Sequence, residues 1–325
     1  MNKMIYKMDL VDSSSAIFNE LDYLILASGS DSRAYEILSR CTFEKRAIIF
    51  HFLERLNDLD SNSNTDDPLH NYKQYNNSIL QEINCNIKDP GSCLTDLLKI
   101  TYENTSKIGI DISCFTKPYF YFIIKLLKER FSINSIFIFY TEPKSYIFPR
   151  GLYSMFKTSS GPISVREMFG YTGQENRGAK RKLIILLGFD GDLSKEINED
   201  VSPIETVVIN GFPAYTPKCK DISLIANEKL VNDKNIKMRY TRANNPFDTY
   251  NLLQSIKSES EPNTFINIAP LGTKPMALGA CLFALHNPDV RIIYPLPESY
   301  EKKYSDECWS SWIYDLPLSI EWGNI

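Results

Sequence analysis

Two short turns with the sequence Thr-Lys-Pro carry the residue types that bind a phosphate. They lie at 116–118 and 273–275, and a glycine precedes the second. At the start of a helix, unpaired N–H groups and the helix dipole favour an anion. A threonine hydroxyl either caps the helix or donates to a phosphate, and the lysine either adds charge to the site or points to solvent. The predicted phosphate-binding residues are Thr116, Lys117, Gly272, Thr273 and Lys274.

A Gly-x-Asp turn follows an apolar strand pattern in each half of the chain. Gly29 and Asp31 belong to LILASGSDS, and Gly188 and Asp190 belong to LIILLGFDG. Glycine permits close approach of a ligand, and aspartate accepts from a ribose hydroxyl or a base. A turn glycine followed by a helix-capping acid explains the same letters. Arg33 would pair with a phosphate or with a surface acid.

A third polar group, Asp111 and Ser113, ends the apolar pattern IGIDIS. A carboxylate there is costly unless it is paired or used, so both residues are predicted to belong to the ligand site. If the site is catalytic, the candidate acids or bases are Asp31, Asp111 and Asp190. The catalytic residues are otherwise unassigned.

The motifs of dedicated hydrolases are missing from the sequence. There is no GxSxG, HExxH or P-loop, and no histidine is recognisably grouped with a serine or cysteine. His51 falls within a strand pattern, and we interpret it as a structural residue. No metal site and no cofactor are predicted.

Short apolar strand patterns alternate with helical patterns along most of the chain, which is typical of largely parallel sheets. The predicted strands lie at about 23–28, 46–52, 108–113, 135–140, 183–188, 206–211, 236–240, 264–269 and 291–295. The predicted helices lie at about 32–41, 92–104, 117–131, 218–232, 247–258 and 274–286. In such sheets ligands bind outside the carboxyl ends of the strands, where the polar turns fall.

The two halves of the chain resemble each other. Residues 108–146 and 265–300 each contain an apolar strand, Thr-Lys-Pro, an apolar helix, a second strand and Pro-x-Ser-Tyr. The strands and Gly-x-Asp turns that open the halves match in the same order. We therefore predict an α/β fold of two Rossmann-like halves with mainly parallel sheets, related by internal pseudo-two-fold duplication.

The predicted boundaries follow from this repeat. Residues 1–150 form the N-terminal half, 151–182 a connector, and 183–325 the C-terminal half with a tryptophan-rich tail. The polar segment 57–78 is interpreted as a long loop or insertion. The tail either anchors a partner chain or seals an open sheet edge.

Composition and charge argue against a nucleic-acid-binding protein and against a membrane protein. The chain has 325 residues, 43% hydrophobic content and a net charge of −4, so nucleic acid is not favoured as a partner. No apolar run reaches the roughly 20 residues of a membrane span. The seven cysteines are scattered, which suits a reducing compartment. We expect a cytoplasmic protein without membrane contact.

The stretch APLGTKPMALGACLFAL (269–285) resembles the signature turn of the CARF domains, the CRISPR-associated Rossmann-fold sensors of cyclic oligoadenylates. In that family the threonine and lysine of a Gly-Thr-Lys turn contact ligand phosphates, and two domains form one two-fold site. The resemblance implies the same roles for Gly272, Thr273 and Lys274. In the first half it implies them for Thr116 and Lys117, with Phe115 in place of the glycine.

The resemblance implies a nucleotide-binding sensor or regulatory subunit in a prokaryotic antiviral defence system, with a nucleotide-like ligand in the cleft between the halves. Because CARF proteins usually append an effector and no residues remain here for one, a protein partner would carry that activity. The alternative is an enzyme that cleaves a nucleotide phosphodiester or glycosidic bond in the same cleft. A third alternative is an assembly component whose tail and basic connector bind partners.

Overall fold

The computed structural model describes residues 7–11, 17–29, 31–40, 46–52, 80–100, 102–103, 105–147, 159–300 and 305–319. The chain forms two compact units. The first contains Met1–Ile147 and Ser305–Ile325, and the second contains Phe148–Tyr304. The predicted loop at 57–78 and Trp322 lie outside the described residues.

The elements are numbered along the chain. The strands are β1 (Lys7–Leu10), β2 (Tyr23–Ala27), β3 (Arg46–Phe52), β4 (Leu80–Cys85), β5 (Ile108–Asp111), β6 (Ser135–Tyr146), β7 (Ser159–Glu167), β8 (Lys180–Leu186), β9 (Glu205–Gly211), β10 (Ile236–Thr241), β11 (Thr264–Pro270), β12 (Arg291–Tyr300) and β13 (Ser305–Pro317). The helices are α1 (Ile17–Glu20), α2 (Glu36–Arg40), α3 (Leu94–Lys99), α4 (Lys117–Phe131), α5 (Gly191–Val201), α6 (Pro217–Ala226), α7 (Glu228–Val231), α8 (Pro246–Ser258) and α9 (Lys274–His286). Single 3₁₀ turns, Ser32–Tyr35 and Pro90–Cys93, lead into α2 and α3.

The sheet of the first unit has the strand order β1-β13-β6-β5-β2-β3-β4. Its five strands from β4 to β6 run parallel, and β13 and β1 are added antiparallel at the β6 side. The first parallel strand, β2, therefore lies in the interior between β3 and β5.

The sheet of the second unit has the order β10-β9-β8-β11-β12-β7. Its five parallel strands follow the same sequence of neighbours as those of the first unit, and β7 is added antiparallel beside β12. The α/β fold with two mainly parallel, Rossmann-like sheets is confirmed. That the halves arose by duplication stays a prediction.

Interior strands and the helices α4 and α9 supply much of the core. Tyr23–Ala27 is buried along its whole length, and β8 is buried from Lys182 onward, with an apolar run from Leu183 to Leu186. Parallel strands covered on both faces need continuous apolar runs, which both sequences contain. Helix α9 is buried from Pro275 to Leu285, and α4 is buried over most of its first half. In the described part of the chain, no helix is both long and apolar enough to cross a lipid bilayer.

Most predicted elements are confirmed, and α4 and α9 have the predicted bounds. The connector needs correction, because the range 151–182 contains β7 and the beginning of β8. The sequence pattern also does not predict the helix α5 at 191–201. Its sequence GDLSKEINEDV is mostly polar, but Leu193, Ile197 and Val201 form an apolar face of the helix.

The tail also needs correction, because it belongs to the first unit rather than to the C-terminal half. β13 pairs with β6 from Ser305 to Pro317 and with β1 on its other side. The Trp312 indole N–H donates to the Glu142 carboxylate at 2.7 Å. Tyr314 and Leu316 are fully buried, whereas Trp309 is 62% exposed. The tail thus covers the edge of β6. Of its two interpretations, this is the one in which it seals an open sheet edge.

Removal of residues 305–325 is expected to destabilise the first unit, because it opens the edge of β6 and uncovers the core packed by Tyr314 and Leu316. Thermal unfolding should show a lower midpoint, and size-exclusion chromatography should show association. A matched control that ends at Ser319 keeps all of β13 and should behave like the full chain. An unchanged midpoint after the longer deletion would contradict the assignment.

Candidate functional site

The predicted site residues lie at the carboxyl ends of the parallel strands. In each sheet the chain adds strands on one side of its first parallel strand and then crosses to the other side. The two directions diverge between β2 and β5 in the first unit and between β8 and β11 in the second. Open α/β sheets bind ligands at such a crevice. Gly29, Asp31 and Ser113 follow the first pair, and Gly188 and Gly272 follow the second.

The turns after β8 and β11 approach each other closely, so that only glycine fits at position 188 and a side chain at position 272 would be crowded. A Cβ on Gly188 would lie 2.5 Å from the Leu271 carbonyl oxygen, and one on Gly272 would lie 3.2 Å from the Leu187 carbonyl oxygen. The Gly188 carbonyl accepts from Ser223 Oγ at 3.0 Å and from Asn227 Nδ2 at 2.9 Å. These glycines therefore hold two loops together, whether or not a ligand also approaches them.

Thr273 is engaged within the protein. Its hydroxyl accepts from the Met276 N–H at 3.3 Å, which caps α9, and donates to the Ala243 carbonyl. The Tyr215 hydroxyl donates to the same carbonyl at 3.3 Å. The loops after β9, β10 and β11 therefore meet at Ala243. Lys274 begins α9 beside this junction and is half-buried.

Asp190 occupies the residue before α5 and is 6% exposed. Its side chain makes no capping hydrogen bond, so the capping role that the sequence offered for this aspartate does not describe it. It remains a candidate ligand or catalytic residue by position alone.

An exposed aromatic pair near the same loops was missed by the sequence reasoning. Phe212 directly follows β9 and is 54% exposed, and Tyr240 on the edge strand β10 is 49% exposed. Their ring centres lie 6.3 Å apart in an edge-to-face arrangement, and Lys220 Nζ lies 5.5 Å from the centre of the Phe212 ring. Asn210 donates to the Lys220 carbonyl at 3.2 Å and so keeps this turn of α6 near the strand end. Sequence letters alone do not show that β10 is an edge strand.

The corresponding turn of the first unit differs at its threonine. Thr116 precedes α4 and is 8% exposed, but its hydroxyl does not cap the helix and has no hydrogen-bond partner among the described residues. A buried hydroxyl without a partner costs free energy. Lys117 begins α4 and is half-buried. Within the described residues, the threonine hydroxyl of the first unit thus has no partner, whereas that of the second unit is satisfied.

Phe115 fills the position that corresponds to Gly272. It is 1% exposed and packs edge-to-face against Phe50 and Phe52, with ring centres 5.2 and 6.4 Å away, and stacks with Tyr119 at 6.4 Å. This aromatic cluster places apolar side chains at the position where a glycine would let a ligand contact the protein backbone.

Asp111 and Ser113 belong to a buried polar network. The Ser113 N–H donates to Asp111 Oδ1 at 2.9 Å, and Ser113 Oγ accepts from the Thr141 N–H at 2.8 Å. Thr141 Oγ1 lies 2.9 Å from Ser311 Oγ. The network joins the ends of β5, β6 and β13.

Asp31 and Arg33 pair with each other. Arg33 donates from Nε and Nη2 to the two carboxylate oxygens of Asp31, at 2.9 and 2.6 Å. Ser305 of β13 donates to Asp31 at 2.8 Å and accepts from Arg33 at 3.1 Å. Burial alone would raise the pKa of Asp31, but the hydrogen bonds and charge of Arg33 outweigh it and lower the pKa to about 2. The pair therefore fastens β13 to this turn, and Arg33 is 4% exposed.

Two cavities lie near the amino ends of the strands of the second sheet, at the edge opposite the predicted site. The first, of about 180 Å³, contains Lys182, which lies 3.2 Å from Glu205. The second, of about 150 Å³, contains Arg181, which lies 2.6 Å from Glu175. Paired charges line both cavities, and we assign no ligand to either.

The two threonines are expected to respond oppositely to replacement by valine. Thr116→Val removes a buried hydroxyl that has no partner among the described residues and keeps the shape of the side chain, so the free energy of unfolding should rise by about 1 kcal/mol. Thr273→Val removes a helix cap, so the free energy of unfolding should fall by about 1–2 kcal/mol. Chemical denaturation measures both. Equal destabilisation by the two variants would show that the Thr116 hydroxyl has a partner.

Asp31→Asn is expected to destabilise the protein at neutral pH, because it leaves the Arg33 charge buried without its partner. The pKa of Asp31 is lowered on folding, so its contribution is present above its unfolded pKa and is lost as pH falls through about 2. The difference in free energy of unfolding between wild type and variant should shrink by about 2 kcal/mol between about pH 5 and pH 2.

The control for this prediction is Asp96→Asn, which breaks the exposed pair with Lys99. It should change the free energy of unfolding by less than about 1 kcal/mol at every pH. A difference for Asp31→Asn that stays constant over the acidic range would contradict the pairing.

Comparison with known proteins supplies little beyond this geometry. No protein-family description and no curated protein matches the chain. Among solved structures, the chain is similar to the cytoplasmic domain of a prokaryotic cation chloride cotransporter, with 9% identity and a TM-score of 0.25. That match covers 87% of this chain and 98% of the other. Similarity at this level carries no inference about function, which must come from the site.

Proposed function

We propose that the chain binds a phosphate-bearing, nucleotide-like ligand at the carboxyl edge of its second sheet. The observation that carries the proposal is the exposed pair Phe212 and Tyr240 beside Lys220, next to the junction of three loops at Ala243.

The aromatic pair suits a nucleobase. A base stacks on any aromatic face, and such stacking contributes about 1–3 kcal/mol per base. Phe212 and Tyr240 are each about half exposed and in edge-to-face contact, so each retains ring surface available to a flat ligand. Large aromatic side chains held open at a sheet edge are typical of binding surfaces.

Cationic side chains near the pair suit a phosphate. Lys220 lies over the Phe212 ring, and Arg242, in the loop that contains Ala243, is 62% exposed and 3.4 Å from Asp248. Lys274 stands at the N-terminus of α9, where the helix dipole favours an anion. A ligand with its base on the rings would direct its phosphates toward these groups.

Thr116 and Lys117 are the corresponding candidates in the first unit. The Thr116 hydroxyl has no hydrogen-bond partner among the described residues, and together with the N-terminus of the 15-residue α4 it supports a separate phosphate site within that unit.

The role of sensor or regulatory subunit in prokaryotic antiviral defence is supported by the resemblance of the Gly272–Lys274 turn to CARF domains. A cytoplasmic location and a protein partner with the effector activity belong to the same proposal. Signalling requires that the ligand bind one conformation of the protein more tightly than another.

Calorimetric titration with ATP, NAD and a cyclic tetra-adenylate tests the proposal. At least one of these ligands should bind, and Phe212→Ala or Tyr240→Ala should weaken its binding by about tenfold or more because base stacking is lost. Lys274→Ala should weaken a phosphorylated ligand more than its nucleoside.

Two exposed residues at the opposite edge of the same sheet provide matched controls. Phe169 follows β7 and is 65% exposed, and Lys180 begins β8 with a side chain 55% exposed. Phe169→Ala and Lys180→Ala should leave the affinity unchanged. Failure of all three ligands to bind, or equal weakening by the controls, would overturn the proposal.

A further inference from the structure

Three neighbouring strands of the first unit bring a serine, a histidine and a glutamate into line. Ser28 Oγ lies 2.9 Å from His51 Nδ1, and His51 Nε2 lies 3.5 Å from Glu82 Oε1. The sequence shows no recognisable grouping of this kind, and it favours a structural role for His51. That expectation misses the contact, because the three residues are distant along the chain and meet only through strand register.

The register explains the alignment. Ala27 of β2 pairs with Phe50 of β3, so Ser28 follows next to His51, and the Ser28 N–H donates to the Phe50 carbonyl at 2.8 Å. On the other side, β4 pairs in parallel with β3 and places Glu82 diagonally from His51. Paired residues of adjacent strands share a face, so the three side chains lie on the same side of the sheet.

The contacts select one arrangement of protons. A carboxylate only accepts, so Glu82 favours the histidine tautomer with its proton on Nε2. Nδ1 then carries no proton and accepts from the Ser28 hydroxyl. In this state His51 is positioned to remove the serine proton, and Glu82 stabilises the imidazolium that results.

The three residues differ in exposure. Ser28 and His51 are 8% and 9% exposed, whereas the Glu82 side chain is 40% exposed. Ser28 directly follows β2, at the crevice between β2 and β5 where open sheets bind ligands. Its limited exposure admits a small electrophile rather than a polymer.

We propose that Ser28 is a nucleophile activated by His51, with Glu82 as a positioning residue, for hydrolysis of small carboxylic esters. Ser28 Oγ forms a bond to the carbonyl carbon while its proton passes to His51 Nδ1. The bond to the leaving alcohol breaks, and His51 returns the proton to the alcohol oxygen. Water then attacks the acyl-serine, His51 takes its proton and returns it to Ser28 Oγ, and the carboxylic acid leaves.

This activity uses residues of the first unit that the nucleotide proposal does not involve. Each proposal can therefore fail without the other.

Labelling with diisopropyl fluorophosphate tests the nucleophile directly. Ser28 Oγ would form a bond to phosphorus, fluoride would leave, and His51 would take the proton. Mass spectrometry should find one adduct on Ser28 in the wild type and none in Ser28→Ala. His51→Gln should slow labelling by at least about a hundredfold, the usual contribution of a general base.

Glu82 needs a readout that a structural role would not move. Glu82→Gln should slow labelling while the thermal unfolding midpoint stays near that of the wild type, and Glu82→Asp should restore part of the rate. Ser311→Ala, which removes a buried serine hydroxyl bonded to Thr141 Oγ1 instead of a histidine, should label normally. Hydrolysis of p-nitrophenyl acetate should follow the same order among the variants.

Several outcomes overturn the proposal. They are a folded wild type that does not label, an adduct mapped to another residue, or a labelling rate unaffected by His51→Gln. If Ser28→Ala does not fold, adduct mapping in the wild type and the rate of His51→Gln decide the question alone.

Discussion

The constraint on which both units depend is that an interior parallel strand must bury both of its faces. Such a strand carries almost no polar side chain along its length, because each one would need a partner inside the core. Polar residues are therefore concentrated where the strands end. β2 is buried from Tyr23 to Ala27, and the next residue is Ser28. The candidate site residues of each unit are therefore confined to its sheet edge by the same requirement that stabilises its core.

That requirement is also why so much of the fold could be predicted. Continuous apolar runs gave the interior strands, and proline at the first turn of α4 and α9 gave their beginnings. The strands added at the sheet sides could not be found in this way. β13 has the mixed letters SDECWSSWIYDLP, because one part of it is buried and another is exposed. Its partner lies more than 150 residues earlier, and nothing local indicates that distance.

The candidate site was predictable in position more than in detail. The Thr-Lys-Pro turns lie at helix N-termini, as their residue types indicated. The different hydrogen bonding of Thr116 and Thr273 depends on whether a neighbouring loop supplies a carbonyl, as Ala243 does for Thr273. Two further features of the sites could be found only once the order and register of the strands were known. The exposure of Phe212 and Tyr240 follows from β10 being an edge strand, and the contact of Ser28 with His51 follows from register.

The position of β13 also has a consequence for synthesis of the chain. The second unit is continuous from Phe148 to Tyr304, but the first unit needs residues 305–325, which leave the ribosome after the whole of the second unit. Until then the edge of β6 is open to pairing with other nascent chains. β6 contains Pro143, which cannot donate to a ladder, and the charged Lys144. After β13 arrives, Lys144 forms an ion pair with Glu307, so a residue that discourages premature pairing then helps to hold the correct partner.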